Sequence, residues 1–159
     1  MYKNIIKPLA DFIAALFLLV LLFPIILLTA LLLLITNKGK VFFFQKRPGL
    51  NNKLFKIIKF KTMKDAFDEN GLPLPDFIRM TKVGSFVRST SLDELLQLAN
   101  VIMGDMSLVG PRPCLFNQTE LISERHSRGA FEARPGITGL AQVSNIDMST
   151  PKLLAETDA

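Results

Sequence analysis

The longest pattern in the chain is not an alternation but a block. Phe12 to Ile35 reads FIAALFLLVLLFPIILLTALLLLI, 24 residues without a charge. A helix needs about 20 apolar residues, at ~1.5 Å rise each, to cross the hydrocarbon of a bilayer. The block therefore predicts a membrane helix. It exceeds the apolar region of a cleaved signal peptide, about 7–15 residues, and no A-x-A-like site follows it. Pro24 stands in its middle, where a proline removes a backbone donor and crowds the preceding turn. Basic residues flank both ends, Lys3 and Lys7 before, Lys38 and Lys40 after. Two arrangements fit these features: a kinked spanning helix, or a re-entrant hairpin that turns at Pro24 and leaves by the face it entered. Lys7 and Asp11, four residues apart, can pair on one helix face. Either they mark the headgroup level or Lys7 meets a lipid phosphate.

From Val41 the pattern changes. VFFFQKRPGLNNKLFKIIKFKTM predicts two short strands around a turn, with Pro48-Gly49 and Asn51-Asn52 supplying turn chemistry. FKIIKFK alternates in its second half, as an amphipathic strand does. Asp65 to Asp76 is polar, holds Gly71, Pro73 and Pro75, and reads as a loop. Ile78 to Val87 is mixed, with Gly84 allowing a turn. Ser91-Leu92-Asp93-Glu94 matches a capping box, with Ser at the N-cap and Glu at N3. Apolar Leu92, Leu95, Leu96, Leu98, Val101 and Ile102 then predict a helix that Gly104 ends. The fold class is α/β: a small mixed domain behind an apolar anchor.

Composition narrows the partners. The chain has 159 residues, the size of one domain, and a formal net charge of +5. That charge favours anions: nucleic acid, lipid headgroups or phosphorylated substrates. A single cysteine, Cys114, excludes an internal disulfide, and no Cys/His spacing marks a zinc site. Cys114 reads as a small apolar residue beside Pro113. His126, the sole histidine, reads as a surface residue, and Asp105 as part of the loop after Gly104. Lys46, Arg47, Lys53, Lys56, Lys59 and Lys61 interleave with phenylalanines, a composition that suits single-stranded nucleic acid. Such a binder would leave Phe12–Ile35 without a role, so no nucleic-acid partner is expected.

The adjacent acids Asp93 and Glu94 admit two readings. In one, Glu94 caps and Asp93 favours the positive end of the helix. In the other, one of them does chemistry. Arg88 lies just upstream. Downstream, GDMSLVGPRP from Gly104 to Pro113 sets Arg112 between two prolines, which limits its backbone. Arg134-Pro135-Gly136 repeats a basic residue before a Pro-Gly loop. A guanidinium can bind phosphate through two parallel hydrogen bonds. Carboxylates with arginines and lysines are the parts of metal-assisted phosphoryl chemistry. Magnesium takes one or two carboxylates together with substrate phosphates, and an aspartate can itself be the nucleophile.

Six blocks in order carry a resemblance: KPLAD (Lys7–Asp11), QKRPG (Gln45–Gly49), FKIIKFKTM (Phe55–Met63), RSTSLDEL (Arg88–Leu95), NVIMGDMSLVGPRP (Asn100–Pro113) and RPGITGLAQV (Arg134–Val143). The chain resembles the monotopic phosphoglycosyl transferases, the bacterial sugar transferase family. The resemblance implies an α/β membrane-associated domain on a re-entrant helix-break-helix anchor. Residues 1–37 would be the anchor and 38–159 a cytoplasmic catalytic domain at the inner membrane of a bacterium. It implies transfer of a phosphosugar from a nucleotide diphospho-sugar, usually a uridine one, to polyprenyl phosphate. By matched position Asp93 would be the nucleophile, and Glu94 would assist in metal binding or in deprotonating the lipid phosphate. Both would hold Mg2+. Arg88 and Arg112 would bind phosphate, with Lys59 and Arg134 as further nucleotide or lipid-phosphate contacts. A helix start that welcomes a carboxylate would also welcome the phosphate that reacts with it.

The chain departs from the family pattern at Phe23, where serine is frequent, at Pro8, where a basic residue is, and at Leu96, where proline is. It stops after SNIDMSTPKLLAETDA, where family members run on, so a truncated or minimal domain is expected. The competing reading is a non-catalytic module that docks on anionic lipid and recruits partners. No motif announces the sugar or an oligomeric state.

Overall fold

The computed structural model describes residues 2–146 and 150–158. The apolar block is one α-helix, α1, Lys7–Thr36, with Pro24 inside it. Helical structure continues through the proline, so the expected two helices around a break are instead one helix. Pro24 has no N–H to give the Val20 carbonyl. Shortly after it, the Thr29 hydroxyl donates to Ile25 O at 2.8 Å, a back-bond that bends helices. Only 11% of the most apolar stretch of α1 is buried in the protein. Phe17, Val20, Leu21, Leu28 and Ile35 are exposed. An apolar surface that continuous belongs against lipid rather than water. Among the described residues α1 is the one helix long and apolar enough to sit in a membrane.

The two expected strands are present. β1 (Phe42–Pro48) pairs with β2 (Leu54–Phe60). Gly49 N–H donates to Lys53 O at one end and Lys61 N–H to Val41 O at the other, each at 2.8 Å, so the strands run antiparallel. Asn51 and Asn52 take φ values of 52° and 60° in the turn, a left-handed geometry that asparagine tolerates. Phe55, Ile57 and Phe60 of β2 are buried. The alternation lapses at Ile58 and Lys59, both half-buried. That lapse encloses the lysine.

The chain forms two compact units. One comprises Leu19–Phe44 and Ile58–Leu96. Its core joins Leu33 of α1 to Val41, Phe60 and Val87, with Val83, Leu92 and Leu96 against them. The expected loop after β2 is tied down by Lys40 and Lys61, which bind the two oxygens of Asp65 at 2.7 and 2.5 Å. Two helices follow, α2 (Asp76–Arg79) and α3 (Lys82–Ser89). Gly84 does not make a turn. It lies inside α3, where a Cβ would stand 1.9 Å from Thr62 O, so only glycine allows the helix this close to the loop.

The other unit comprises the chain up to Leu18, Gln45–Ile57 and the chain from Gln97 on. Helix α4 (Gln97–Ile102) ends as expected at Gly104, with Asp105 N–H on Asn100 O and Gly104 N–H on Val101 O, both at 3.0 Å. β3 (Ser107–Val109) runs parallel to β4 (Gly136–Thr138), Ser107 opposite Gly136 and Val109 opposite Thr138. Helices α5 (Thr119–Ser127), α6 (Leu140–Val143) and α7 (Pro151–Asp158) surround a core of Cys114, Leu121, Ala141, Leu154 and Ala155. At the start of α1, Lys7 Nζ donates to both Asp11 oxygens at 3.1 and 2.9 Å and to Ser107 Oγ at 2.6 Å. Ser107 Oγ in turn donates to Asp11 at 2.7 Å. The Lys7–Asp11 pair is thus an internal clamp on β3.

Candidate active site

The capping box does not form. Ser91 takes φ 55° and ψ 16°, and its side chain caps nothing. An N-cap needs extended backbone to swing its oxygen over the next N–H groups, and a left-handed serine cannot do so. Residues Leu92–Glu94 make a 3-10 turn instead, with Glu94 N–H on Ser91 O at 3.1 Å, and α4 starts only at Gln97. Asp93 therefore does not stand at a helix start, and the helix-end rationale for it and for a phosphate falls away. Glu94 reaches across to β2, where Lys59 Nζ lies 2.6 Å from Glu94 Oε1.

Asp93 is 8% exposed. Burial pushes its carboxyl above the ordinary aspartate range. The Lys59 ammonium pulls the other way, the Glu94 charge adds to the rise, and Arg88 is a smaller downward influence. Arg88 sits in the last turn of α3, and its carbonyl accepts from Ser91 N–H at 3.2 Å, which ties α3 to the turn. The structure thus gathers Lys59, Arg88, Asp93 and Glu94 from a strand, a helix and a turn. Two carboxylates in sequence beside two cations can hold a hard cation or a phosphate. Among the described residues no group of three or more His, Cys, Asp or Glu could hold a metal ion unaided. The donor set suits an ion that completes its shell with substrate oxygens, which is the habit of Mg2+.

Arg112 and Arg134 belong to the other unit and are described there. Their two Pro/Gly loops are zipped together: Gly136 N–H donates to Pro111 O at 2.9 Å and Ser107 N–H to Pro135 O at 2.8 Å. A Cβ on Gly136 would stand 2.2 Å from Gly110 N, so the approach depends on glycine. Arg134 carries a buried Nε with no partner among the described residues. The carbonyl of Arg112 accepts from Arg125 Nη1 at 2.7 Å, and that of Pro113 from Arg47 Nη1 at 3.1 Å. Arg125 is 2% exposed and pairs with Asp158. No local pattern marks Arg125 as buried, since it sits in the polar run SERHSRG. His126 is exposed and Cys114 buried, as expected. Burial pushes the Cys114 thiol up, against the pull of Arg125 and Arg47.

The chain is similar in sequence to several bacterial proteins. An uncharacterized sugar transferase, EpsL, of Bacillus subtilis is 48% identical over 140 residues, 88% of this chain and 69% of that one. A UDP-glucose:undecaprenyl-phosphate glucose-1-phosphate transferase of Klebsiella pneumoniae is 42% identical over 146 residues, 88% of this chain but 31% of its own length. A protein of the same name in Caulobacter vibrioides is 42% identical over 145 residues, 88% of this chain and 54% of its own. This chain therefore spans about a third to about two thirds of these relatives. The family model for bacterial sugar transferases matches residues 2–158, and the chain belongs to that family.

Proposed function

We propose that the chain is a phosphoglycosyl transferase that moves a phosphosugar from a uridine diphospho-sugar to polyprenyl phosphate at a membrane. The observation that carries this reading is the buried Asp93 carboxyl, set beside Glu94 and between Lys59 and Arg88. Relatives named for glucose-1-phosphate transfer to undecaprenyl phosphate point to the same chemistry.

In the first half-reaction an Asp93 oxygen attacks the phosphorus nearer the sugar. An O–P bond forms, the P–O bond to the nucleotide breaks, and uridine monophosphate leaves. In the second, a phosphate oxygen of the lipid attacks the same phosphorus and Asp93 departs as carboxylate. Burial makes the Asp93 anion poorly solvated and hence reactive, and Lys59 and Arg88 pull against the upward shift of its carboxyl. Lys59 orients Glu94 and has further protons for phosphate. Arg88, Arg112 and Arg134 take phosphate oxygens. Glu94 would hold the metal or take the proton of the lipid phosphate. Mg2+, bound by Asp93, Glu94 and the donor's phosphates, would neutralise phosphate charge so that an anion can approach.

We read α1 as a re-entrant anchor on the cytoplasmic face of the inner membrane. Pro24 supports a bend in the middle of the apolar run, since it cannot donate to the Val20 carbonyl. Basic residues at both flanks favour the cytoplasmic side.

The test uses the detergent-purified chain with Mg2+ and a panel of uridine diphospho-sugars. Expected are release of uridine monophosphate and a phosphosugar mass on the Asp93 peptide, both absent in Asp93→Asn. Donor turnover by Asp93→Asn at the parent's rate would exclude the covalent step. No turnover with any donor, lipid acceptor present, would favour the anionic-lipid docking module.

A further inference from the structure

Arg112 is the cation that a phosphate would meet in the G-P-R-P loop, and its backbone is gripped from behind. Arg125 Nη1 donates to Arg112 O at 2.7 Å, and Arg47 Nη1 to the next carbonyl, Pro113 O, at 3.1 Å. Arg125 and Asp158 form an ion pair with side chains 2% and 1% exposed. Pro111 and Pro113 supply no N–H, so the loop cannot be fixed by its own donors there. Its carbonyls are fixed by arginines instead. A buried guanidinium without its anion is strongly unfavourable, so the grip on Arg112 depends on Asp158, at the end of α7 and far along the chain.

We propose that Arg125 and Asp158 are positioning residues: a buried latch from α7 through α5 that sets the backbone of Arg112, and with it the direction of the phosphate-binding guanidinium. The proposal rests on the assignment of Arg112 to phosphate in the preceding section. It makes the C-terminal helix part of substrate recognition, although no residue of α7 need touch substrate. Arg125 spends one nitrogen on Asp158 and another on Arg112 O, so the ion pair and the loop move together.

The experiment has two arms on the full chain in detergent. The first is amide hydrogen exchange of the peptide spanning residues 110–118, which needs no activity. Asp158→Asn should speed exchange there by about tenfold, the loss of one charge-assisted hydrogen bond, and leave the β1–β2 hairpin at the parent's rate. Asp158→Glu should restore protection in part. If Asp158→Asn does not fold, Arg125→Lys carries the comparison, since it keeps the charge for Asp158 and gives up the bond to Arg112 O. The second arm is steady-state turnover of uridine diphospho-glucose with Mg2+ and polyprenyl phosphate. The latch variant should raise the donor KM by about tenfold with kcat within about twofold. In an Arg112→Ala background the same substitution should add nothing. Unchanged exchange at residues 110–118 in a folded variant overturns the latch. Full additivity with Arg112→Ala overturns its link to phosphate. Faster exchange with a parent that turns over no donor would uphold the latch and reject the transferase reading.

Discussion

Lys59 Nζ stands 2.6 Å from Glu94 Oε1, and through that contact a strand lysine governs the charge beside Asp93. Replacing Lys59 by methionine keeps the length and removes the ammonium. The Glu94 charge would then act on Asp93 unopposed by its neighbour, and the Asp93 carboxyl would rise further. The acid limb of the kcat/KM profile should move to higher pH, and turnover at neutral pH should fall. A pH–rate profile of donor turnover checks this. A limb in the parent's position would show that Lys59 does not control Asp93.

The same carboxyl predicts a conflict between activity and stability. A group whose folded-state pKa exceeds its unfolded value holds its proton more tightly in the fold. Its contribution is full below the unfolded pKa and is lost as pH rises through the folded one. Asp93 is such a group, since burial dominates its shift. Above that window the ionised Asp93 weakens the fold. Asp93→Asn should abolish turnover yet raise stability by on the order of 1 kcal/mol, or ~3 °C in Tm for a chain of this size. The gain should shrink toward zero as pH is lowered through the window. Thermal unfolding across pH checks it, and a variant less stable than the parent at neutral pH would count against the burial argument.

The hairpin, the loop after it and the apolar helix were legible because each follows from a local pattern. The turn asparagines and the unbroken run Phe12–Ile35 need no distant partner. The Ser91–Glu94 turn departs from its local pattern for the opposite reason. Its sequence satisfies a capping box, but Glu94 gains more from Lys59, 35 positions earlier, than from a backbone N–H three residues back. Arg125 was invisible because burial of a charge is decided by its partners. Those are Asp158 and the Arg112 carbonyl, and no spacing rule connects the three. Gly84 and Gly136 looked like turn residues and are close-approach residues, a distinction made by what lies opposite them.

Asp65 gives a pH prediction of the other sign. Lys40 and Lys61 hydrogen-bond its two oxygens and hold its carboxyl down at about 2. A depressed folded-state pKa contributes stability that is present above the unfolded value and lost as pH falls through about 2. In a side-chain carboxyl titration by NMR, Asp65 should protonate only at about pH 2. In Lys61→Met its midpoint should return toward the ordinary range. A midpoint near 4 in the parent would mean that the two lysine contacts are absent in solution.

The topology of α1 is open to a labelling experiment that the sequence happens to favour. Cys114, the sole cysteine, is fully buried, so an introduced cysteine is the only thiol a membrane-impermeant maleimide can reach. Lys3→Cys reports the start of the anchor, and Lys53→Cys, in the exposed hairpin turn, reports the α/β part. If α1 is re-entrant, both label in vesicles with the cytoplasmic face outward and neither in vesicles of the opposite orientation. A spanning α1 would separate the two labels, and that result would end the hairpin reading. The proline can then be tested as its cause. Pro24→Leu restores the missing N–H and removes the ring's clash, so the 30-residue α1 loses its cause of bending and is free to cross a ~30 Å hydrocarbon layer straight. Part of the Lys3→Cys label should move to the far face. Lys7 would then be drawn from Ser107, so turnover should fall in proportion to the fraction that has moved.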